Sequence, residues 1–237
     1  SVEGSHYVGA LAGRVEGGVI TASYATGAVK SHRTSYPAYT GGLVGSLSDS
    51  AITASYTTGS VSATGDRVGG LVGYAIGSSL EAVFSAAAAT GGSYVGGLVG
   101  TQGDGSSIER SFTTGFVSGK NYVGGLTGSR FSSTTVSDSY WATDASGQAD
   151  SSGGTGALLS ELRCATAADD SACAETDLFV GWADSVDAAG NPNWVFGEDN
   201  QLPGLSLNGV VHHDSDGDGA MDVDDDFPFN YAVSLDS

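Results

Sequence analysis

The chain has 237 residues and a formal net charge of −19, from 27 acidic and 8 basic side chains. This balance excludes most nucleic-acid-binding roles, because a polyanion is bound through Lys and Arg that displace its counterions. It also argues against docking on an anionic membrane surface. The sequence contains no apolar run of about 18 residues that could span a bilayer.

A seven-residue string recurs through the first 145 residues with a period near 28. It reads Tyr-Val-Gly-Gly-Leu-Val-Gly from Tyr94 to Gly100, and related copies begin at positions 7, 39, 67 and 122. The leucines of the five copies, at positions 11, 43, 71, 98 and 126, are separated by 32, 28, 27 and 28 residues. Self-similarity at such a period indicates stacked structural repeats.

Each copy is followed by a segment in which apolar and small polar residues alternate. In the first repeat, Ile20, Ala22 and Tyr24 occupy one side of this alternation and Thr21 and Ser23 the other. The pattern predicts a strand that is half buried against a core. The aromatic residues at positions 24, 56, 84, 112 and 140 are therefore predicted to form a core ladder on the same face as Ile20. A sugar-binding stripe is the alternative, and it requires exposed rings.

A unit of about 28 residues cannot bury its apolar face alone, whereas stacked units cover one another. The sequence thus predicts an all-β fold, a parallel and right-handed β-solenoid of about five coils over residues 1–145. The glycines of the repeated string suit a narrow coil, where backbones approach closely or require positive φ.

The Gly-Gly-Leu-Val-Gly string, followed by Ser-Tyr-Thr-Thr-Gly-Ser-Val at 55–61, resembles the GLUG repeat. Such repeats occur in large bacterial surface and secreted proteins, including adhesins and immunoglobulin A peptidases. The resemblance implies a β-solenoid in a cell-surface setting, and it carries no catalytic residues. The sequence begins within a repeat, so we expect it to be a segment of a longer protein.

After Trp141 the period ends, and residues 146–208 are predicted to cap the last coil. An open layer exposes unpaired strand edges, and Phe179, Trp182, Trp194 and Phe196 could anchor a cap over it. The run from Trp194 to Leu205 resembles the segment that closes many GLUG arrays. Cys164 and Cys173 have no zinc-ligand spacing, so a local disulfide is predicted, with two free thiols as the alternative.

Residues 209–237 are predicted to form an acidic calcium-binding linker. Oxygen donors stand at relative positions 1, 3, 5, 7, 9 and 12 of a loop with glycine at position 6, which is the order of an EF-hand calcium loop. The predicted Ca²⁺ ligands are Asp214, Asp216, Asp218, the Ala220 carbonyl, Asp222 and Asp225. The segment resembles thrombospondin type 3 repeats. A disordered acidic tail is one alternative, and a transition-metal site at His212 and His213 is another.

The sequence contains no His-Glu-x-x-His zinc motif and no Gly-x-Ser-x-Gly nucleophile elbow, and its few repeat-region carboxylates are scattered. We therefore expect no enzymatic activity, a polysaccharide lyase being the least favoured function. The leading prediction is an extracellular structural or adhesive segment of a bacterial surface or secreted protein. Its partners would be neighbouring modules, another copy, or a surface glycan.

The sequence also allows two alternative functions. A carbohydrate-binding module is suggested by aromatic residues outside the ladder, with Tyr36 and Trp141 as possible ligand contacts and Tyr39 and Trp182 as further candidates. A self-assembling extracellular filament is suggested by the uncapped first coil and by the glycine-rich, weakly charged repeats.

Overall fold

The computed structural model describes residues 1–34, 38–167, 178–197, 200–215 and 217–223. Strand β1 (Val2–Gly4) precedes five coils of successive short strands. Coil 1 holds β2 (Tyr7–Val8), β3 (Ala12–Glu16), β4 (Val19–Thr21), β5 (Tyr24–Ala25) and β6 (Val29–Ser31). Coil 2 holds β7 (Tyr39–Gly41), β8 (Val44–Ser48), β9 (Ala51–Thr57) and β10 (Ser60–Ala63). Coil 3 holds β11 (Val68–Gly69), β12 (Val72–Ile76), β13 (Ser79–Ser85) and β14 (Ala88–Thr90).

Coil 4 holds β15 (Ser93–Gly96), β16 (Val99–Gln102), β17 (Ser107–Glu109), β18 (Phe112–Thr113) and β19 (Val117–Ser118). Coil 5 holds β20 (Asn121–Gly124), β21 (Thr127–Arg130), β22 (Thr135–Ser137) and β23 (Tyr140–Ala142). The remaining elements are α1 (Thr143–Ser146), β24 (Thr155–Ala157), α2 (Leu159–Leu162), a 3-10 turn (Trp182–Asp184), β25 (Trp194–Val195), β26 (Gly204–Leu207) and β27 (Val210–His212).

The coils stack in register, so that each strand pairs in parallel with the equivalent strand one repeat away. Four faces result, which we number in chain order. Face 1 contains β2, β7, β11, β15 and β20, and face 2 contains β3, β8, β12, β16 and β21. Face 3 is built on β9 and β13 with β4, β5, β17, β18, β22, β23 and β24, and face 4 contains β1, β6, β10, β14 and β19. The predicted β-solenoid of about five coils is thus confirmed.

The repeated leucines form the interior of the solenoid. Leu43, Leu71, Leu98 and Leu126 are fully buried, together with the apolar residues that open the face 3 strands, such as Ile52. In coil 1, Leu11 is 53% exposed because only one neighbouring layer covers it. A Cβ at Gly70 would collide with the carbonyl oxygen of Gly97, so these glycines serve close backbone approach. The glycines with positive φ, such as Gly59 and Gly77, lie outside the repeated string.

The aromatic ladder faces outward, and the prediction that it shares a face with Ile20 is wrong. Ala54 stands between Ile52 and Tyr56 with φ of 46°, and the equivalent residues of the other coils, Ala22, Ala82, Arg110 and Asp138, also have positive φ. A left-handed residue breaks the simple alternation of side chains along a strand. Ile52 therefore lies in the interior core, whereas Tyr56 packs in a separate outer cluster.

The described residues between 178 and 223 cover this outer ladder, and we call them the flank. The flank brings Phe179, Trp182, Trp194, Leu205 and Met221 into one apolar cluster with the ladder rings. The residues predicted to form the cap therefore lie in two different places on the solenoid. Residues 148–157 extend over the last coil, where β24 pairs with β23, whereas the aromatic anchors lie along face 3. The hairpin of β26 and β27 crosses the expected boundary between residues 208 and 209.

No helix in the described part of the chain is long and apolar enough to cross a membrane.

Candidate functional site

The outer ladder is a column of nearly parallel rings. Ring centroids lie 5.0 Å apart between Tyr24 and Tyr56, 4.8 Å between Tyr56 and Phe84, and 5.3 Å between Phe84 and Phe112, with interplanar angles of 4–5°. Each ring thus covers the face of the next. Their outward edges are covered in turn by the flank, so the ladder is a packing interface and not an exposed sugar-binding stripe.

The flank contacts the ladder residue of every coil. His212 lies 5.3 Å from Tyr24 and 5.5 Å from Tyr56, measured between ring centroids. Trp194 lies 6.4 Å from Phe84 and 5.4 Å from Phe112. Trp182 lies 6.1 Å from Tyr140. A single segment therefore runs along the solenoid axis and bridges all five coils.

Hydrogen bonds fix the flank to the strand positions that have positive φ. The indole Nε1 of Trp182 donates to the Asp138 carbonyl at 3.1 Å, and that of Trp194 donates to the Arg110 carbonyl at 3.0 Å. The Arg110 guanidinium in turn binds a Glu81 carboxylate oxygen at 2.7 Å. These bonds satisfy two buried indole N–H groups that an apolar interface would otherwise leave without partners.

The structure does not support Trp141 as a ligand contact. Its side chain is 6% exposed and packs in the interior core, where Nε1 donates to the Gln148 carbonyl at 3.0 Å. Trp141 therefore closes the top of the leucine column. Tyr39 and Trp182 are also buried, at 7% and 0% exposure, and Tyr36 lies outside the described residues.

The described part of the acidic loop, the end of the flank, packs against the outer cluster. Met221 joins the apolar cluster, and Asp214 is 4% exposed with its Oδ1 accepting the Gly217 amide at 2.9 Å. Asp218 accepts the Ala220 amide at 2.8 Å, and the Asp222 carboxylate accepts both the amide and the hydroxyl of Ser215. The predicted ligands Asp216 and Asp225 lie outside the described residues.

Neither metal prediction is tested by these contacts. Within the described ranges, no group of three or more His, Cys, Asp or Glu side chains is arranged to hold an ion. The two histidines point to different neighbours, because His212 Nδ1 lies 3.0 Å from the Tyr56 hydroxyl and the His213 ring lies beside Gly204. Burial and the neighbouring His213 lower the pKa of His212.

The disulfide also stays a prediction. Cys164 follows α2 and packs at the edge of the outer cluster, and the described residues include no free cysteine. Its expected partner, Cys173, lies in the stretch 168–177, outside the described residues.

A cavity of about 450 Å³ lies between coils 1 and 2 and the flank. Its wall combines apolar side chains, such as Ala22, Ala54 and Val186, with polar ones, such as Thr21, Asn193 and Asn208. Asp187 stands at its rim, where hydrogen bonds from the side chain and then the backbone of Asn191 hold the pKa of the Asp187 carboxyl below its usual value. The cavity exists because the alanines 22 and 54 leave space that no flank aromatic fills.

A second aromatic column, absent from the sequence-based predictions, runs along face 1. The Tyr94 and Tyr122 rings stack with centroids 4.9 Å apart and an interplanar angle of 2°. The Arg67 guanidinium lies 5.1 Å from the Tyr94 ring, and it also lies 5.5 Å from Tyr39 and 5.9 Å from Tyr74. Tyr39, Arg67, Tyr94 and Tyr122 occupy the first position of the repeated string, whereas Tyr74 follows the end of its copy, on face 2. This repeated first position was the only sequence signal for the column.

Comparison with known proteins adds one match. Residues 4–30 match the GLUG motif. No curated protein and no solved structure matches the chain. The matched stretch is coil 1 and part of the strand before it, and the other four coils repeat its strand order in register. The motif match and the stacked coils together support the conclusion that the solenoid is a GLUG repeat region.

Proposed function

We propose that this chain is a non-enzymatic structural segment of a bacterial surface or secreted protein, serving as a rigid extracellular spacer or display surface. The main support for this proposal is that one segment, the flank, contacts all five coils. A solenoid alone is held only by contacts between adjacent layers. Here His212, Trp194 and Trp182 add contacts that span the stack, so that bending between coils would separate buried rings.

We further propose that Ca²⁺ binds the acidic loop at residues 214–225 and stiffens the end of the flank. The donor order of the sequence supports this, because Ca²⁺ prefers six to eight hard oxygen ligands on a tightly turning backbone. The burial of Met221 also supports it, since a loop attached to the apolar cluster can transmit ion binding to the flank. The Asp222 carboxylate would have to exchange its Ser215 hydrogen bonds for the ion.

Calcium titration by calorimetry, with thermal melts in Ca²⁺ and in EGTA, tests the loop. The variant Asp216→Asn with Asp218→Asn removes two ligand charges and keeps an amide oxygen that can accept the Ala220 amide. We expect it to abolish the heat of binding and the calcium-dependent rise in Tm. The control, Asp66→Asn with Asp104→Asn, changes the net charge equally in the solenoid and should leave both unchanged. Equal binding by the two double variants would refute the loop assignment.

The spacer role is tested by pulling on the ends of the chain in a single-molecule force experiment. If the flank braces the coils, the described solenoid should unfold in one cooperative event. Stepwise release of coils of about 28 residues would instead describe an unbraced repeat array. Robust turnover of a glycan or peptide substrate would overturn the non-enzymatic assignment.

Self-assembly is a second candidate, favoured by the exposed surface of coil 1. Leu11, Val19 and Tyr24 are 53%, 73% and 53% exposed, whereas the equivalent Leu43 and Tyr56 of coil 2 are 0% and 1% exposed. An apolar layer is a surface on which a further coil, of the same protein or of a second copy, can stack. Sedimentation over a hundredfold concentration range tests this candidate, and a constant monomer mass would count against it.

A further inference from the structure

We propose that the exposed ring face of Tyr122 is a binding platform for a neutral pyranose sugar. This site lies on face 1, away from the flank and the acidic loop, and it goes beyond the spacer role. Tyr122 is 64% exposed, the largest exposure of any aromatic residue in the described outer surface. One face of its ring is covered by Tyr94 at 4.9 Å. Within the described residues it makes no other ring contact.

The backbone at this corner of the coil is left-handed in three successive coils. Arg67, Tyr94 and Tyr122 occupy equivalent positions with φ of 57°, 62° and 53°. Glycine or asparagine adopts this conformation at less cost than a bulky residue does. A strained bulky residue at an exposed site is a reason to look for function. The corner nevertheless carries tyrosine in both of the last two coils.

The stack beneath Tyr122 holds the platform in one orientation. The Tyr94 ring lies between Tyr122 on one side and the Arg67 guanidinium, 5.1 Å away, on the other. Arg67 is held in turn by cation–π contacts with Tyr39 and Tyr74. An aromatic ring fixed in this way loses little conformational entropy when a ligand binds, which favours affinity.

The charge of the chain and the single exposed ring face favour one class of ligand over others that bind aromatic side chains. A net charge of −19 disfavours acidic polysaccharides and nucleic acids. A quaternary ammonium group is recognised by a cage of several ring faces, whereas Tyr122 offers a single face. The axial C–H bonds of a pyranose match one flat ring, and its hydroxyls need polar partners at the edge.

Two polar residues immediately precede Tyr122 in the chain. Asn121 and Lys120 precede Tyr122 and are exposed, and the Asn121 Nδ2 lies 3.4 Å from the Ser93 hydroxyl of the neighbouring coil. The amide oxygen of Asn121 can accept a bond from a sugar hydroxyl, and the Lys120 ammonium can donate one. The exposed ring of Tyr122 thus follows directly after an amide and an ammonium side chain in the sequence.

Calorimetric titration of the whole chain with two probes, the β-1,4-linked hexamers of glucose and of galactose, tests the proposal. Tyr122→Phe keeps the ring and should keep the affinity. Tyr122→Asn removes the ring but suits the positive φ, so folding should be preserved, and we expect Kd to rise by at least about tenfold. Tyr24→Ala is the control, because Tyr24 is 53% exposed and stacks on Tyr56 at 5.0 Å, its other ring contact being with His212 at 5.3 Å.

The expected result is saturable binding of at least one hexamer, lost in Tyr122→Asn and retained in Tyr122→Phe and Tyr24→Ala. Three results would overturn the proposal: no binding of either hexamer by the unmodified chain, unchanged binding by Tyr122→Asn, or an equal loss in Tyr24→Ala. Thermal melts of all four proteins separate a loss of the platform from a loss of the fold. The calcium and force experiments are independent of this outcome.

Discussion

Replacing Trp182 by alanine tests whether the flank and the solenoid share one core. Trp182 is fully buried, with its ring 4.6 Å from Trp194, 4.7 Å from Phe179 and 6.1 Å from Tyr140. Its Nε1 also donates to the Asp138 carbonyl. The substitution therefore opens a cavity at the centre of the outer cluster and removes a hydrogen bond that joins the flank to coil 5.

The size of the effect follows from these two losses. Truncating a buried tryptophan to alanine costs about 3–5 kcal/mol. The unsatisfied Asp138 carbonyl adds about 1 kcal/mol, which brings the total to about 4–6 kcal/mol. A typical domain has only about 5–15 kcal/mol of stability. We therefore expect the flank to detach at low denaturant while the leucine interior, which Trp182 does not contact, keeps its strands.

Two signals during urea unfolding follow the two parts of the molecule. Far-UV circular dichroism measures the loss of the solenoid strands, and binding of a dye to exposed apolar surface measures detachment of the flank. Trp182→Ala should bind the dye before the strand signal is lost. Val180→Ala, two residues away and 48% exposed, is the control and should change stability by less than about 0.5 kcal/mol. Equal unfolding midpoints for the two variants would show that the indole is not part of a shared core.

Three further predictions concern single positions. Leu98→Ala should lower the free energy of unfolding by about 2–5 kcal/mol. Leu11→Ala, at the same repeat position, should change it little because Leu11 is 53% exposed. Equal losses of stability in urea melts would contradict the stacking of the leucines in one column. Ser111→Ala should cost about 1–3 kcal/mol, because its buried hydroxyl accepts an amide from coil 3 and donates to coil 4; a neutral result would refute that role. The Asp187 carboxyl should titrate below its usual pKa, and Asn191→Ala should raise that pKa. Because the folded pKa is depressed, the Asp187 carboxylate stabilises the fold above its unfolded pKa and loses that contribution as the pH falls through the folded value. If Asn191→Ala leaves the NMR titration midpoint of Asp187 unchanged, the assigned cause of the shift is wrong.

The candidate sites were only partly predictable from sequence. The acidic loop was predicted from its spacing, because an ion-binding loop is a local arrangement of consecutive residues, and calcium binding there stays a prediction. Trp141 was misassigned, since nothing local shows that its ring closes the leucine column. The stacked pair Tyr94 and Tyr122 was missed because stacking joins residues 28 positions apart, and a tyrosine with positive φ has no sequence signature.

The sequence alone determined the stacking of the chain. Its period places Leu43, Leu71, Leu98 and Leu126 one above another, since repeats of nearly equal length bring equivalent positions into register. Only the tertiary structure decided which way the aromatic ladder faces. A single left-handed residue, such as Ala54, reverses the alternation, and alanine does not signal positive φ. Tertiary structure also placed Trp182 and Trp194 beside the ladder and not above it, because burying the outward rings required a second apolar surface that local sequence cannot position.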